Sequence, residues 1–213
     1  MLQYLIRHGE SVSNVEERVQ GQADVDLSEL GRRQAARVAA RSRELVASAP
    51  GNDAPWEIWS SPLKRARHTA EMIAAAVGLP LHIEERLCEL HAGIFQGHLW
   101  ADLETQFPEA VAQWRSGDVD YQIPGGESRA QLAARGHEAL QALAARNVSG
   151  MIVVAHGGVL TAALGSLLGR AHPLLASAAQ RPFTKLPALA NASLTLLEWP
   201  GPRLISFNET AHL

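Results

Sequence analysis

A chain of 213 residues with 46% apolar content is long enough for one large domain with a substantial buried core. Its formal net charge of −3 gives no basic field of the kind that holds nucleic acid, so a nucleic-acid partner is not expected. Cys88 is the sole cysteine, which excludes an intrachain disulfide, and no window of about 18 uncharged apolar residues marks a membrane span. With no basic segment followed by a long apolar run at the N-terminus, a cytoplasmic protein without a membrane partner is expected.

The apolar run Leu2 to Ile6 reads as a short buried strand that ends abruptly in Arg7-His8-Gly9. A polar stretch follows to Leu27, after which SELGRRQAARVAARSRELVAS reads as a helix with Ser28 as N-cap. Its arginines (Arg32, Arg33, Arg37, Arg41, Arg43) are expected to form a solvated face. After the loop APGNDAP, the strand EIWSS leads into the helix PLKRARHTAEMIAAAVG, with Pro62 near its start and Gly78 at its end.

Leu81 to Glu85 suggests another strand, and the stretch of about 93–128 is rich in Gly, Pro and Trp, which predicts a cap-like insertion within a single domain over 1–213. An Ala/Leu helix from about Arg129 to Arg146 precedes MIVVA, a strand ending at His156-Gly157-Gly158, and then the helix VLTAALGSLLG. Leu194–Trp199 and Arg203–Phe207 close the chain as two strands joined by Pro200-Gly201-Pro202. This alternation predicts an α/β fold, a three-layer α/β/α sandwich with a mostly parallel central sheet. In such sheets ligands bind beyond the carboxyl ends of the strands, where Arg7-His8, Ser60-Ser61 and His156 all fall.

Four charged segments thus converge on the predicted rim: Arg7 with His8, Arg65 in SSPLKRARHTA, Glu89 in RLCELHAG and His156 in VVAHGG. A neutral imidazole is a competent nucleophile towards phosphorus, and arginine forks match phosphate oxygens, so two histidines and two arginines suit a phosphoryl group. A protonated carboxyl at Glu89 is the candidate donor to the leaving oxygen.

Taken together, LIRHGES, SSPLKRARHTA, RLCELHAGIFQG and VVAHGG resemble the histidine phosphatase superfamily, also called phosphoglycerate mutase-like, over nearly the whole chain. The resemblance implies a phosphate pocket of Arg7, Arg65, His8 and His156, with Asn14 and the Gly157 amide as further contacts and Gln20 and Gly21 in the substrate loop. It implies that His8 takes the phosphoryl group while Glu89 protonates the leaving alkoxide, and that water then hydrolyses the phosphohistidine with Glu89 as base. An exposed glutamate titrates near about 4.3; the bound phosphate is expected to raise Glu89 against the lowering by Arg7 and Arg65. No metal or other cofactor is expected; the expected partner is a small phosphomonoester substrate, and the chain is expected to be a monomer or homodimer.

The main rival is a cofactor-dependent phosphoglycerate mutase. Ala92 stands where the mutase pattern has tyrosine, Trp100 where it has lysine and Gly158 where it has asparagine, and PGGES (124–128) and NETAHL resemble the phosphatase branch. A metal site on His8, His156 and Glu89 lacks HxxxH or HExxH spacing, and a non-catalytic scaffold is expected to have lost a catalytic group. His68, His82, His98, His137, His172 and His212 read as structural or solvated, whereas His91 is close enough to Glu89 in sequence to reach the leaving group. Trp56, Trp59, Trp199 and Cys88 read as packing, and Trp100, Trp114 and Tyr121 as the better candidates for substrate contact. Arg115, Arg129 and Lys185 are able to bind a substrate carboxylate but read as ordinary surface charges.

Overall fold

The computed structural model describes residues 1–48, 55–169, 171–176 and 189–213. In chain order these form β1 (Leu2–Arg7), α1 (Val12–Val15), α2 (Glu29–Ala47), β2 (Trp56–Ser60), α3 (Lys64–Val77) and β3 (Leu81–Ile83). They continue with α4 (Leu103–Gln106), α5 (Pro108–Ser116), α6 (Arg129–Ala144), β4 (Gly150–Ala155), α7 (Gly157–Leu168), α8 (Pro173–Ala176), β5 (Leu194–Glu198) and β6 (Arg203–Glu209). Short 3₁₀ turns lie at Glu85–Leu87 and Gly93–Phe95.

The strands make one sheet in the order β3-β2-β4-β1-β5-β6. Pairing is parallel through β3, β2, β4 and β1, with Arg7 opposite Ala155 at the carboxyl end, and antiparallel where β5 meets β1 and β6. Alternation along β1 sends Leu5 to one face and Tyr4 and Ile6 to the other. On the first face Leu5, Met151 and Val153 pack with Leu140 of α6 and Leu160 and Leu164 of α7; on the second, Ile6, Ile58 and Ile152 pack with Val38 of α2 and Ile73 of α3. Helices on both faces of the sheet give the three layers. Strand β4 is buried at every position because both faces are covered, and each of its larger apolar side chains contributes about 2 kcal/mol.

Local chemistry sets the element ends. Ser28 Oγ accepts the Gly31 N–H at 2.9 Å and starts α2, whose buried face is Gly31, Ala35, Val38, Ala39 and Ser42, while the five arginines expected in solvent are exposed. Gly78, with φ of 78°, closes α3 in the left-handed conformation that a β-carbon disfavours. A third apolar cluster, formed by Val19, Ala92, Phe95, Leu103, Val111, Trp114 and Ile123, gathers the 93–128 stretch beside the carboxyl end of the sheet.

Three details differ from the sequence reading. The strand expected over Leu81 to Glu85 stops at Ile83, and Glu85 starts a 3₁₀ turn capped by Glu84. The stretch before Leu27 contains the one-turn α1, started by a capping box between Ser11 and Asn14. Helix α7 begins at Gly157, two residues before the apolar periodicity, because its first exposed amides find an acceptor in Glu89.

Candidate active site

Arg7 and His8 are delivered by the end of β1, Arg65 by the first turn of α3 and Glu89 by the loop after Glu85–Leu87; all four line one cavity of about 500 Å³. Asn14, Gln20 and Gly21 lie on the same wall. His156, the N-cap residue of α7, sits behind His8 with ring centroids 5.1 Å apart and is fully buried. The sheet therefore brings together the residues that the sequence placed at its strand ends.

The tautomers follow from the partners. His8 Nδ1 lies 2.6 Å from the Gly9 carbonyl oxygen, which only accepts, so Nδ1 carries the proton and Nε2 presents its lone pair. His156 Nε2 lies 2.8 Å from Ser61 Oγ, whose oxygen already receives the Leu63 N–H at 3.3 Å. The Ser61 hydroxyl has one proton and two acceptors within reach, His156 Nε2 and, at 4.0 Å, Cys88 Sγ, while His156 Nδ1 has no hydrogen-bond partner among the described residues. Burial, reinforced by Arg65, His8, Arg7 and Arg135, holds His156 well below the usual histidine range. It is a neutral N–H donor near neutral pH.

Arg65 is completely buried; its Nη1 and Nη2 donate to the carbonyls of Ala23 and Gly21, each at 2.8 Å, while Nε has no partner among the described residues. Burial lowers this guanidinium to about 10 against the opposing pull of Glu89, so it remains a cation at neutral pH. Arg7 Nη1 donates to the Leu189 carbonyl at 2.5 Å. Gly21 has φ of +53°, and a β-carbon there would meet Gln96 and Ala92, so glycine lets this loop turn its carbonyl to Arg65.

Glu89 Oε1 accepts the N–H groups of Leu90 at 2.9 Å and Val159 at 3.1 Å, and Oε2 accepts that of Gly158 at 2.8 Å. A β-carbon on Gly158 would fall 2.2 Å from Oε1, so this approach requires glycine. Arg135 fastens the loop from behind by donating to the carbonyls of Arg86, Cys88 and Glu89 while Glu127 receives its other donors. The chemistry available is an in-line attack by His8 on an anion held by arginine and amide donors, with a carboxyl group across the cavity.

The sequence matches the histidine phosphatase superfamily (branch 1) over residues 3–208. The chain belongs to that superfamily. It is 42% identical to a metal-independent phosphoserine phosphatase of Arabidopsis thaliana over 74% of this chain, and spans 65% of that relative's length. It is 37% identical to a probable phosphoglycerate mutase of Yersinia pestis, covering 100% of this chain and 95% of that one. Among solved structures, the mycobacterial glucosyl-3-phosphoglycerate phosphatase complexed with VO3 superimposes with a TM-score of 0.77 at 32% identity, over 98% of this chain and 99% of that chain.

Other expectations for this histidine phosphatase fare unevenly. Gly157 is buried at the start of α7, and Gly158 rather than Gly157 reaches the cavity wall. His91 is exposed and borders a separate open groove with Gln22 and Glu127, away from the main cavity. Its backbone N–H is held by Glu127 at 2.8 Å, which turns the loop so that Glu89, not His91, faces inward. Trp100 and Trp114 line the cavity, whereas Tyr121 packs in the third apolar cluster. Arg115 pairs with Glu104 at 3.0 Å on the surface, but Arg129 overturns its reading as a surface charge: it is 6% exposed and lines the cavity. Lys185 lies outside the described residues.

Several supporting residues carried no assigned role in the sequence. Asn191 Nδ2 donates to the His8 carbonyl and to Asn14 Oδ1, both at 3.2 Å, so the Asn14 amide nitrogen is the group turned from that contact. Thr69 Oγ1 accepts the Gly9 N–H at 3.2 Å, and Gln22 Nε2 donates to the Glu89 carbonyl at 3.0 Å. Ser61 and Glu127 lie inside motifs already noticed, but only a fold shows which atoms they reach.

Proposed function

We propose that this histidine phosphatase is a metal-independent hydrolase of small phosphorylated metabolites and that His8 carries the phosphoryl group. The observation that carries the reading is the His8 Nδ1 bond to the Gly9 carbonyl, which leaves Nε2 as nucleophile in a cavity shared with Arg7, Arg65 and Glu89. His8 Nε2 forms the bond to phosphorus as the ester P–O bond breaks, and the leaving oxygen takes a proton from Glu89. Oε1 already accepts two amides, so Oε2 is the oxygen that carries this proton. Water, deprotonated by Glu89, then attacks the phosphohistidine and returns His8 to its starting state.

In this reading the Ser61 hydroxyl donates to His156 Nε2, so that Arg7, Arg65, the Nδ1–H of His156 and the Asn14 amide supply the donors to the three equatorial oxygens. Gln20, whose Oε1 accepts the Ser11 hydroxyl at 2.7 Å, and Gly21 shape the wall next to them, and Gly157 places the first turn of α7. We read 93–128 as a cap within one domain. The named activities of a phosphoserine phosphatase and a glucosyl-3-phosphoglycerate phosphatase among its relatives support hydrolysis of a phosphorylated small molecule.

The mutase reading draws on the Yersinia relative but asks for a wall that holds a glycerate while the phosphohistidine is kept from water; here that wall carries Ala92, Trp100 and Gly158. The test is a brief incubation with substrate, followed by trapping. Acid-labile, base-stable phosphate should appear on wild type and be absent from His8→Ala, and 3-phosphoglycerate with catalytic 2,3-bisphosphoglycerate should yield inorganic phosphate without 2-phosphoglycerate. Full activity in His8→Ala would sink the mechanism, and efficient isomer exchange would replace the hydrolase by the mutase.

A further inference from the structure

Arg129 is a cation in a place that opposes one. It is 6% exposed, so its guanidinium has lost most of its hydration, and it occupies the first helical position of the 16-residue α6, where the helix dipole presents its positive end. The side chain is seated against Trp114: Nη2 donates to the Trp114 carbonyl at 2.7 Å and the guanidinium carbon lies 3.8 Å from the indole centroid. A tryptophan face and a carbonyl fix the fork's orientation, and stacking leaves its edge as the hydrogen-bonding direction. Arg129 lines the same cavity as Arg7, His8 and Arg65.

Among the described residues, the rest of the cavity is poor in charge away from the phosphate donors. Val19, Leu90, Ala92, Trp100 and Leu132 are apolar, and the remaining charged wall residues, Glu17 and Arg18, stand exposed at the rim, with Arg18 paired to Glu16 at 3.0 Å. Among the described residues, a ligand whose phosphate meets His8 therefore meets one further buried cation, and the positive end of α6 adds to its attraction for an anion. One stacked fork suits a planar monoanion; a second phosphate dianion would call for additional cationic or amide donors around it.

We propose that Arg129, seated on Trp114, recognises a carboxylate on the leaving group, so that the substrates are small phosphorylated acids. This rests on the phosphatase reading above and deepens it: the phosphate end makes a substrate of any accessible monoester, and Arg129 selects among them.

The test compares O-phosphoserine with O-phosphoethanolamine, which differ only by the carboxylate, and 4-carboxyphenyl phosphate with phenyl phosphate as an aromatic pair. Wild type should favour the acid of a pair in kcat/KM by about a hundredfold, the scale of a desolvated charge-assisted contact. Arg129→Met should bring the ratio within about threefold of one, and Arg129→Lys should keep part of it. A wild-type ratio near one, which needs no variant, overturns the proposal, as does an undiminished ratio in Arg129→Met.

Calorimetric binding of the same ligands to His8→Ala separates this proposal from the reading it rests on. Preferential binding of phosphoserine without turnover by wild type would leave the acid subsite standing and remove the phosphatase. Turnover of both esters at equal rates would do the reverse. Tighter competition by propane-1,3-diyl bisphosphate than by phosphoserine would assign Arg129 to a second phosphate and overturn the carboxylate.

Discussion

Ser61 Oγ and His156 Nε2 lie 2.8 Å apart at the carboxyl ends of β2 and β4, and the direction of this hydrogen bond decides which nitrogen of a buried neutral imidazole holds its proton. Without the hydroxyl, the ring is at liberty to place the proton on Nε2, and the donor expected to face the phosphate becomes an acceptor. Ser61→Ala should lower kcat/KM by about tenfold, the worth of one misplaced neutral hydrogen bond, while Ser61→Thr restores most of it. Nitrogen-15 NMR of the imidazole should show a mixture of tautomers in the alanine variant. An unchanged rate with a single tautomer would relieve Ser61 of this role.

The same buried ring makes stability depend on pH in a stated direction. His156 is held well below its ordinary range by burial and by Arg65, His8, Arg7 and Arg135, so between its folded value and about 6.5 the unfolded chain binds the extra proton. The slope of unfolding free energy against pH is then positive in that window. Its contribution is complete above about pH 6.5 and is lost as pH falls below it, by up to about 1.4 kcal/mol per unit. The carboxylates with lowered values, Asp24, Asp26, Glu57 and Glu84, act at more acid pH. Urea unfolding at pH 7.5 and 5.5 should show this loss in wild type and a smaller one in His156→Gln.

Leaving-group dependence identifies the acid. Glu89→Gln should slow alkyl phosphates severely but slow release of nitrophenol from p-nitrophenyl phosphate much less, because nitrophenolate departs without a proton. Gly158→Ala should reproduce that signature with the carboxyl group intact, since its β-carbon would fall 2.2 Å from Glu89 Oε1 and displace it. Pre-steady-state bursts isolate the first step. Equal losses for both substrates in Glu89→Gln would leave some other group as the acid.

Arg135 binds three carbonyls of the Glu89 loop, those of Arg86, Cys88 and Glu89, and the carboxylate of Glu127, with both side chains largely shielded from solvent. Its loss leaves those carbonyls and a carboxylate without their cation. Arg135→Met should cost about 3 kcal/mol of stability, a fall of roughly 8 °C in Tm for a chain of this size, and should penalise alkyl phosphates more than p-nitrophenyl phosphate. A lower Tm with equal kinetic losses would make it a structural clamp alone.

The parts of this site that were legible in the sequence are those fixed by short-range pattern. An apolar strand that ends in Arg7-His8, a serine before α2 and the strand-to-turn segments at His156 and Ser61 are local statements, and local rules read them. Arg129 was not legible, because an arginine at a helix start reads as solvated until Trp114 of α5 is brought over it. His91 failed for a related reason: two residues from Glu89 in the chain, it is turned outward by a hydrogen bond to Glu127, 36 positions away. Asn191 belongs to the same class, since its worth lies in contacts with His8 and Asn14 on the other side of the sequence.

Strand β1 is made first yet lies between two strands that arrive late, with Ile6 opposite Val154 on one side and Leu194 on the other. Both pairings close loops of well over a hundred residues, so the centre of the sheet forms only after a large loss of chain entropy, and slow folding is the consequence. During synthesis, Tyr4, Leu5 and Ile6 must wait without their permanent neighbours, which exposes an aggregation-prone strand until β4 and β5 emerge. A nascent chain stalled before residue 190 would hold His8, Arg65, Glu89 and His156 and still lack β5 to seat them.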